Sequence, residues 1–312
     1  MKVLFIGGGG FIGKTIIEKM FLNHECIVYD SNGDDSFTGF DTDKLKIYKG
    51  NMEEYENMHN VIERERPECI VHLVCNILPG SREDEVLKYM DLNMNSTLKL
   101  FEYMREFSVK KLVYISSGGA IYGDNGKSIN REEDDLKPIN FYGWIKYAIE
   151  KYIKAYHKLY GFEYLIVRPS NPFGKYQNIF GRQGIVAVAM GKVLKNEIIE
   201  IWGDGEVVRD YISAEEMGEV FAEVFEKGSW NEIYNIGSGV GKSINEILGM
   251  IRKVSKRNMK IEYVAARKAD VQMNVLDVSK CELAIGRKIR FDFENDIKNM
   301  WKEVLKRQEG IL

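Results

Sequence analysis

A glycine-rich run close to the first residue constrains the fold more than any other feature of the chain. Gly7, Gly10 and Gly13 recur every three residues between an apolar stretch, Val3 to Ile6, and an amphipathic stretch that begins at Phe11. Glycine at such a turn permits unusual backbone angles, close approach of amides to an anion, and close packing of a helix on a strand. The start of the following helix then offers unpaired N–H groups to a phosphate. The pattern predicts a strand–loop–helix unit that binds a dinucleotide.

An acidic residue, Asp30, directly follows the second apolar stretch, which runs from Cys26 to Tyr29. A carboxylate at this place can accept hydrogen bonds from both ribose hydroxyls and repels a 2′-phosphate, so NAD is favoured over NADP as the cofactor. The alternative is that the glycines only form a tight turn and that Asp30 only starts a loop. Strand, helix and acid occur in register, which favours the dinucleotide site.

Short apolar stretches alternate with amphipathic stretches through the first half of the chain, as in a parallel sheet with helices on both faces. After Arg168 the pattern loosens into a segment with several prolines and glycines, which predicts a loop and a second domain. We therefore predict an α/β fold, a Rossmann-type doubly wound parallel sheet with a smaller α/β carboxyl-terminal substrate domain. The predicted NAD-binding domain is 1–168 plus a returning segment near 209–236, and the predicted substrate domain is 169–208 and 237–312.

The second half contains fewer stretches with strand periodicity than the first. Alternation predicts strands at Arg209 to Ile212, Glu232 to Asn235 and Lys260 to Val264. Helical periodicity predicts four helices, at Ile185 to Leu194, Ala214 to Glu226, Ile244 to Val254 and Phe293 to Leu305. A smaller mixed domain follows from this pattern.

Charge and cysteine content narrow the class of partner. The 312 residues include 44 basic and 47 acidic side chains, with a net charge of −3, so small molecules are expected rather than nucleic acid. The cysteines lack CxxC spacing and the histidines lack ligand spacing, which favours reduced core thiols, no metal site and a cytoplasmic location. Since no apolar run approaches the roughly 18 residues of a membrane span, no membrane partner is expected.

Candidates for proton transfer lie in two later segments. Ser116 and Ser117 end the fifth predicted strand, at the edge where open α/β sheets bind ligands. Tyr142 and Lys146 are four residues apart on a predicted helix and share one face. The ammonium can therefore lower the pKa of the phenol and make it a proton carrier near neutral pH.

A second pair with the same spacing, Tyr147 and Lys151, overlaps the first. Only one pair can face a bound nicotinamide, because five residues rotate a helix by about 140° beyond a full turn. Tyr142 lies at the start of the helix after Pro138, near the carboxyl edge of the sheet, so we choose Tyr142 and expect Tyr147 to pack. Taken alone, either pair also fits a packed tyrosine beside a solvated lysine.

Together these motifs resemble those of the extended short-chain dehydrogenases/reductases, in particular the UDP-glucose 4-epimerase-like nucleotide-sugar epimerases and dehydratases. The resemblance covers nearly the whole chain and rests on motifs in family order, among them "GGGGFIG", "YISSGGAIYG", "FYGWIK", "VRPSNPFG", "WGDGEVVRDYI" and "YNIGSG". It implies a seven-stranded domain that holds NAD and a smaller domain that holds a nucleoside-diphosphate sugar. It also implies a homodimer built on a four-helix bundle.

The resemblance assigns roles to individual residues. It implies Tyr142 as the base, Lys146 as its electrostatic partner and ribose ligand, and Ser117 as the donor to the sugar O4. The implied substrate-binding residues are Ser117, Asn171, Arg209 and Arg267, and a guanidinium fork suits phosphate oxygens. The implied cofactor-binding residues are Gly7, Gly10, Phe11, Ile12, Gly13, Asp30, Asn51, Met52, Val74, Asn93, Tyr142 and Lys146.

The activity implied by the resemblance is NAD-dependent 4-epimerisation of a nucleoside-diphosphate sugar, such as UDP-glucose/galactose or the N-acetyl forms, through a transient 4-keto intermediate. One alternative is an NAD(P)H-dependent reductase of a nucleotide-linked 4-keto-6-deoxy sugar, which uses the same three side chains. Another is a nucleotide-binding regulatory protein without chemistry, although such proteins usually lose the tyrosine or the lysine. Gly118 and Gly119 stand where 4,6-dehydratases carry an Asp-Glu pair, so elimination of water is not expected.

Overall fold

The computed structural model describes residues 1–37, 45–75, 77, 86–266 and 271–308. In chain order the strands are β1 (Lys2–Ile6), β2 (Glu25–Asp30), β3 (Leu45–Lys49), β4 (Cys69–His72), β5 (Lys111–Ile115), β6 (Ile129–Asn130), β7 (Glu163–Pro169), β8 (Asn171–Phe173), β9 (Ile198–Trp202), β10 (Val208–Ser213), β11 (Glu232–Ile236), β12 (Gly241–Ser243), β13 (Lys260–Val264) and β14 (Met273–Leu276). The helices are α1 (Phe11–Met20), α2 (Tyr55–Glu65), α3 (Val86–Met90), α4 (Ser96–Glu106), α5 (Gly118–Ile121), α6 (Phe141–Tyr160), α7 (Ile185–Lys195), α8 (Ala214–Lys227), α9 (Ile244–Ser255), α10 (Ser279–Ile285) and α11 (Phe293–Gln308).

The centre of the molecule is a seven-stranded sheet with the strand order β11-β7-β5-β4-β1-β2-β3. Every pairing within it is parallel. From β1 the chain builds outward in one direction through β2 and β3, and then in the other direction from β4. The carboxyl ends of β1 and β4 therefore border the crevice where doubly wound sheets bind their ligands. The predicted fold class is confirmed.

Apolar side chains cover both faces of this sheet. Val3 and Phe5 of β1 pack in one core with side chains of α1, α8 and α10, whereas Leu4 and Ile6 pack in a second core with α2, α4 and α6. The alternation follows from the two-residue repeat of a strand. Because both faces are buried, the strand is apolar throughout, which explains why it is a continuous apolar run in the sequence.

A third core lies in the carboxyl-terminal region, between α7, α9 and α11. Next to it stands a five-stranded sheet with the order β12-β10-β14-β6, in which β8 also pairs with β10. A separate parallel pair joins β9 to β13. The segment after Arg168 is therefore not only the loop that the sequence predicts, because it contains β8. The proposed domain boundaries stay a prediction.

Candidate active site

The glycine loop joins β1 to α1 at the crevice. Gly7 has a φ of +80°, in the left-handed region, and a Cβ there would lie 2.6 Å from Cγ2 of Val74. Only glycine satisfies both conditions. A Cβ on Gly13 would overlap the carbonyl oxygen of Gly8, so this glycine lets α1 lie against the loop. At Gly10, by contrast, a Cβ would meet only the carbonyl oxygen of Gly7 among the described atoms, at 3.6 Å, so that side of the loop is open.

The start of α1 is suited to an anion. Within the described part of the chain, no side chain caps the helix at Gly10 and no acidic residue occupies its first turn. The positive end of the helix dipole and its amide groups thus face the open side of the loop without a competing carboxylate. Phe11 is partly exposed, and Ile12 packs against the core beneath the loop. The cradle fits a pyrophosphate group.

Asp30 stands at the carboxyl end of β2, facing the glycine loop. Its Oδ2 accepts a hydrogen bond from the backbone N–H of Gly9 at 2.9 Å, and its Oδ1 accepts one from Asn32 N–H at 3.0 Å. The carbonyl oxygen of Asn51 accepts a hydrogen bond from the Tyr29 hydroxyl at 2.9 Å, which places the residues after β3 beside the same edge. The side chain of Asn51 is exposed, whereas that of the next residue, Met52, is buried in the core.

Helix α6 brings Tyr142 to the end of β5. The helix is capped by Asn140, whose Oδ1 accepts a hydrogen bond from the Gly143 N–H at 2.9 Å. A Cβ on Gly143 would lie 2.8 Å from the carbonyl oxygen of Ala120, so the first turn of α6 approaches the backbone after β5 closely. In this position the hydroxyl of Ser117 lies close enough to the phenol of Tyr142 to lower the pKa of that phenol.

Lys146 lies one turn further along α6 and is buried, with 2% of its surface exposed. Its Nζ donates a hydrogen bond to the carbonyl oxygen of Ile115 at 2.7 Å. The same atom lies 4.8 Å from the ring centroid of Tyr114 and 5.9 Å from that of Tyr142. Burial lowers the pKa of Lys146, and the neighbouring thiol of Cys75 acts in the opposite direction. The structure thus brings the three predicted catalytic side chains together.

The pKa of Tyr142 is not lowered in the protein alone. Burial of the phenol raises this pKa, the nearby thiol of Cys75 adds to the rise, and the nearby hydroxyl of Ser117 opposes it. The sequence-based expectation of an acidified phenol is therefore wrong for the chain without ligands. The physical reason is that burial disfavours the charged phenolate, while the ammonium of Lys146 is directed at the Ile115 carbonyl oxygen.

The second tyrosine–lysine pair has a different environment. The ring of Tyr147 packs against the core on the first face of the sheet, and it contacts Trp144 edge-on with ring centroids 5.8 Å apart. Lys151 is exposed, and its Nζ lies 5.0 Å from the Tyr147 ring centroid. Of this pair, only the lysine is exposed to solvent, and the tyrosine ring packs against a different core from that of Tyr142.

Asn93 lies in a single π-helical turn, Asp91–Asn95, between α3 and α4. Its Nδ2 donates to the carbonyl oxygen of Tyr89 at 2.6 Å, and its own carbonyl oxygen accepts a hydrogen bond from Thr97 Oγ1 at 2.5 Å. Thr97 Oγ1 also lies 2.9 Å from Nε2 of the buried His72. These contacts hold the π-helical turn against the end of β4. Single π-helical turns of this kind are frequent at functional sites.

Asn171 opens β8 beside the segment that follows Ser117. Its Nδ2 donates to the carbonyl oxygen of Asp210 at 2.8 Å. A Cβ on Gly119 would lie 3.4 Å from Asn171 Oδ1, so the amide adjoins the turn after β5. The predicted substrate residue and the predicted catalytic serine therefore share one neighbourhood.

Of the two arginines expected to bind a diphosphate, one lies among the described residues. Arg209 lies on β10 next to Asp210, is partly exposed, and donates from Nη1 to the carbonyl oxygen of Val208 at 2.9 Å. Arg267 lies outside the described residues. Of the predicted pair, only Arg209 has a described position, one residue from the carbonyl group that Asn171 contacts.

Sequence reasoning missed Asn274 on β14. This buried amide donates from Nδ2 to the carbonyl oxygens of Gly118 and Gly119, each at 3.2 Å, and its Oδ1 accepts from Asn130 Nδ2 at 3.2 Å. It holds the turn that follows Ser117. No local pattern marks a single asparagine so far along the chain, because the contact depends on how β14 pairs with β6 and β10.

Sequence reasoning also missed the ion pair that anchors α6. Glu150 and Arg168 are each 2% exposed and are joined by two hydrogen bonds, Nε to Oε1 at 3.0 Å and Nη2 to Oε2 at 2.7 Å. Arg168 Nη1 also donates to the Tyr122 hydroxyl at 2.9 Å. A signal was present, since Glu150 lies four residues after Lys146 and so on the same helix face.

All four cysteines are free thiols, and Cys26, Cys69 and Cys281 are buried. Burial raises the pKa of Cys26 and Cys281 to about 12, as expected for unreactive core thiols. A search of the described residues finds no group of three or more His, Cys, Asp or Glu side chains that could hold a metal ion. Across those same residues, no helix has the length and apolar character needed to cross a bilayer.

Comparison with known proteins links this geometry to a family. A family model described as the NAD dependent epimerase/dehydratase family matches residues 3–237. A protein of Methanocaldococcus jannaschii, provisionally named a UDP-glucose 4-epimerase, is 30% identical over 299 residues, which are 96% of each chain. The dTDP-4-dehydro-6-deoxyglucose reductase of Escherichia coli is 26% identical over 308 residues, 97% of each chain. The crystal structure of Thermotoga maritima UDP-glucose 4-epimerase with UDP-glucose matches with a TM-score of 0.89 and 29% identity, over 99% of this chain and 100% of that one.

Proposed function

The chain belongs to the NAD-dependent epimerase/dehydratase family, and from this premise we propose that it is a nucleotide-sugar 4-epimerase. Its substrate would be a nucleoside-diphosphate sugar, UDP-glucose/galactose or an N-acetyl form, and the reaction would pass through a transient 4-keto sugar. The observation that carries the proposal is the close approach of the Ser117 hydroxyl to the Tyr142 phenol, with the buried Lys146 next to them at the carboxyl edge of the sheet.

The crevice has the groups that NAD requires. The open side of Gly10 and the uncapped start of α1 would hold the pyrophosphate. The carboxylate of Asp30 would accept hydrogen bonds from the adenosine ribose and would disfavour a 2′-phosphate. When bound, NAD would supply a reversible hydride acceptor for the sugar C4.

Tyr142 would move the proton at the sugar O4. To accept that proton the phenol must first lose its own and become a phenolate, which burial disfavours in the protein alone because it raises the pKa of Tyr142. The ammonium of Lys146, 5.9 Å from the ring centroid, favours the phenolate and so makes deprotonation during the reaction less costly. Ser117 already contacts the phenol, and its hydroxyl would orient the O4 group for the transfer.

The sugar diphosphate would lie towards β8 and β10. Asn171 and Arg209 would hold its oxygens, with Arg267 as a further candidate, because amide and guanidinium groups both donate to phosphate. At positions 118 and 119 the chain has glycines, and the turn there is bonded to Asn274 instead of carrying an acid. Epimerisation is thus favoured over the elimination of water that dehydratases of this family perform.

A 4-ketoreductase is the second candidate, and the likeness to the Escherichia coli reductase supports it. The same three side chains would serve both reactions. The two reactions differ in what happens to the dinucleotide, since an epimerase recovers its cofactor within each turnover and a reductase exchanges it. Retention of the cofactor therefore separates the candidates.

The test is incubation of the purified protein with UDP-, dTDP- and GDP-sugars without added cofactor, followed by proton NMR. We expect inversion at C4 of one sugar, and release of close to one nicotinamide dinucleotide per chain when the protein is denatured. A protein that yields no dinucleotide, and that converts 4-keto sugars only when NAD(P)H is supplied, would be the reductase. Tyr142→Phe and Tyr147→Phe serve as the inactive variant and its matched control.

A homodimer through α4 and α6 is also proposed. Helix α6 exposes several large apolar side chains, namely Phe141, Trp144, Tyr152, Leu159 and Tyr160. Apolar groups gathered on one helix are typical of a covered surface. A mass of two chains by light scattering would support the dimer, and a mass of one chain at micromolar concentration would contradict it. A cytoplasmic location stays a prediction.

A further inference from the structure

Lys14, in the first turn of α1, contacts two segments that flank the crevice. Its Nζ donates a hydrogen bond to the carbonyl oxygen of Ser36 at 3.1 Å and lies 5.1 Å from the ring centroid of Tyr176. Ser36 belongs to the short 3-10 helix Gly33–Phe37 and donates from its hydroxyl to Oδ1 of Asp30 at 3.4 Å. Tyr176 belongs to the loop that follows β8. One side chain thus links the segment next to Asp30 with the loop on the sugar side.

The loop is docked on α1 by a second lysine. Lys175 Nζ lies 4.7 Å from the same Tyr176 ring centroid and pairs with Glu18 Oε1 on α1 at 2.7 Å. Tyr176 itself has a φ of +70°, in the left-handed region, which is strained for a non-glycine residue. This backbone conformation places the aromatic ring between the two ammonium groups, which attract its face. The strain is therefore tied to the contact with Lys14.

The neighbouring residues reinforce this arrangement. Arg307, near the end of α11, donates from Nη1 to the carbonyl oxygen of Gln177 at 3.2 Å. Burial lowers the pKa of Lys14, the charge of Arg307 lowers it further, and the carboxylate of Asp30 raises it. The segment Gly33–Phe37 has a further anchor in Phe37, which is buried in the core.

We propose that Lys14 is a positioning residue for the dinucleotide cofactor, and that it slows cofactor release. The inference rests on the proposed function in one respect, that the crevice holds NAD. In this proposal the dinucleotide leaves the ribose side when the segment Gly33–Phe37, which is bonded to Asp30 through Ser36, moves away. Opening breaks the bond between Lys14 and the Ser36 carbonyl group, so the open state is rarer by the free energy of that bond. An enzyme that reuses its cofactor in every turnover benefits directly from slow release.

The test measures dissociation of labelled NAD from the purified holoprotein, chased with unlabelled NAD. Lys14→Met removes the donor and keeps the apolar stem, and we expect NAD to dissociate roughly tenfold faster, as the loss of one charged hydrogen bond predicts. Lys14→Arg can still donate to Ser36 and lie on the Tyr176 ring, so it should restore a rate within about twofold of the original. The affinity for NAD, measured by calorimetry on the stripped protein, should fall with the Met variant.

Lys19 offers a matched control on the same helix. It pairs with Glu215 and Glu219 on α8, at 3.8 and 3.1 Å, and contacts neither flanking segment. Lys19→Met should therefore leave the dissociation rate unchanged, even where it lowers the melting temperature as much as Lys14→Met does. Equal acceleration in both lysine variants would mean a general loss of stability and would overturn the inference, as would an unchanged rate in Lys14→Met.

Tyr176 supplies an independent pair of variants. Tyr176→Phe keeps the aromatic face and should retain NAD, whereas Tyr176→Leu removes that face and should accelerate release about two- to fivefold, as expected for one cation–π contact.

Failure of this inference can be told apart from failure of the proposed function. A chain that epimerises none of the sugars but loses NAD faster in Lys14→Met would contradict only the proposed function, whereas an active epimerase whose Lys14→Met variant holds NAD normally would contradict only this inference. A chain that binds no NAD would overturn both.

Discussion

Two tyrosine–lysine pairs on α6 share one spacing and differ in almost everything else. Tyr142 lies beside the Ser117 hydroxyl at the end of β5, and Lys146 is buried there against the Ile115 carbonyl oxygen. Tyr147 packs on the core, and its partner Lys151 is exposed. Spacing along a helix fixes only which side chains share a face. The rotation of the helix against the sheet decides which face meets the crevice.

Contacts at two places along the helix set this rotation. The first turn lies close to the backbone after β5, because Gly143 has no side chain to hold it away from Ala120. Two turns later, Glu150 is bonded to Arg168 on β7 in the interior. Glu150 lies four residues after Lys146 and therefore on the same face, so that face, and not the face of Lys151, is directed at the interior. The difference between the two pairs can therefore be tested by substituting the paired residues themselves and the residues that anchor the helix.

The largest expected effect separates the two tyrosines. Tyr142→Phe removes the group that would carry the proton, and should lower kcat roughly a thousandfold, as loss of a general acid–base group does. Tyr147→Phe keeps the packed ring and should stay within about twofold of the original rate. Coupled assays and NMR on the same substrate measure both. Comparable losses in the two variants would remove the distinction on which the assignment is built.

The next effect concerns the anchor of the helix. Glu150→Gln leaves the buried guanidinium of Arg168 without its charge partner, and should lower the free energy of unfolding by about 3 kcal/mol. Lys151→Gln, one residue on but exposed, should change it by less than about 0.5 kcal/mol. Urea denaturation followed by circular dichroism gives both values. Should Glu150→Gln prevent folding, the double variant Glu150→Met with Arg168→Met is expected to fold, because it leaves no unpaired charge. An unaltered stability of Glu150→Gln would show that the pair does not anchor the helix.

Low pH should destabilise the folded protein through His72, a buried histidine near Lys146. Burial and the charge of Lys146 lower the pKa of His72 to about 3, whereas an unfolded histidine titrates near 6.5. The unfolded state therefore binds the proton first as pH falls, and stability that is fully present above pH 6.5 is lost towards pH 3. One proton gives a slope of about 1.4 kcal/mol per pH unit. His72→Gln should flatten the dependence of unfolding free energy on pH between 6.5 and 4.5, and an equal slope in both proteins would be evidence against a buried neutral imidazole.

The smallest expected effect distinguishes the two serines at the end of β5. Ser117→Ala removes the hydroxyl that contacts the phenol and should lower kcat roughly tenfold, about 1.4 kcal/mol. Ser116 is buried, and its hydroxyl has no hydrogen-bond partner among the described atoms, so Ser116→Ala should remain within about twofold. Steady-state kinetics on both variants provides the check. A larger loss from Ser116→Ala would reassign the donor.

Local patterns allowed the nucleotide-binding half to be predicted from sequence. The glycines, the acid after β2 and the tyrosine–lysine spacing are all set by neighbours along the chain, and the parallel sheet has the order that such units produce. The strands of the carboxyl-terminal half were harder to predict from the sequence. β9 and β14 were not predicted, because a run of only four or five residues is too short to give a clear periodic signal in the sequence.

Long-range contacts explain the remaining failures. Asn274 reaches the turn after Ser117 only through the pairing of β14 with β6 and β10, which no local pattern encodes. The pKa of Tyr142 was predicted to fall because its distance from Lys146 along the helix is favourable. Burial, which depends on the whole fold, raises that pKa instead. Helical spacing can identify a pair of side chains, but not the dielectric environment in which the pair acts.

The fate of the hydrogen on the sugar C4 tests the central claim most directly. The purified protein is incubated without added cofactor with UDP-glucose deuterated at C4, and the products are examined by NMR and mass spectrometry. An epimerase that retains its dinucleotide, with Tyr142 moving the proton at O4, returns the same label, so the C4 epimer should carry deuterium at C4 in the original proportion. Product that has protium at C4, or product that forms only when NAD(P)H is supplied, would contradict the account.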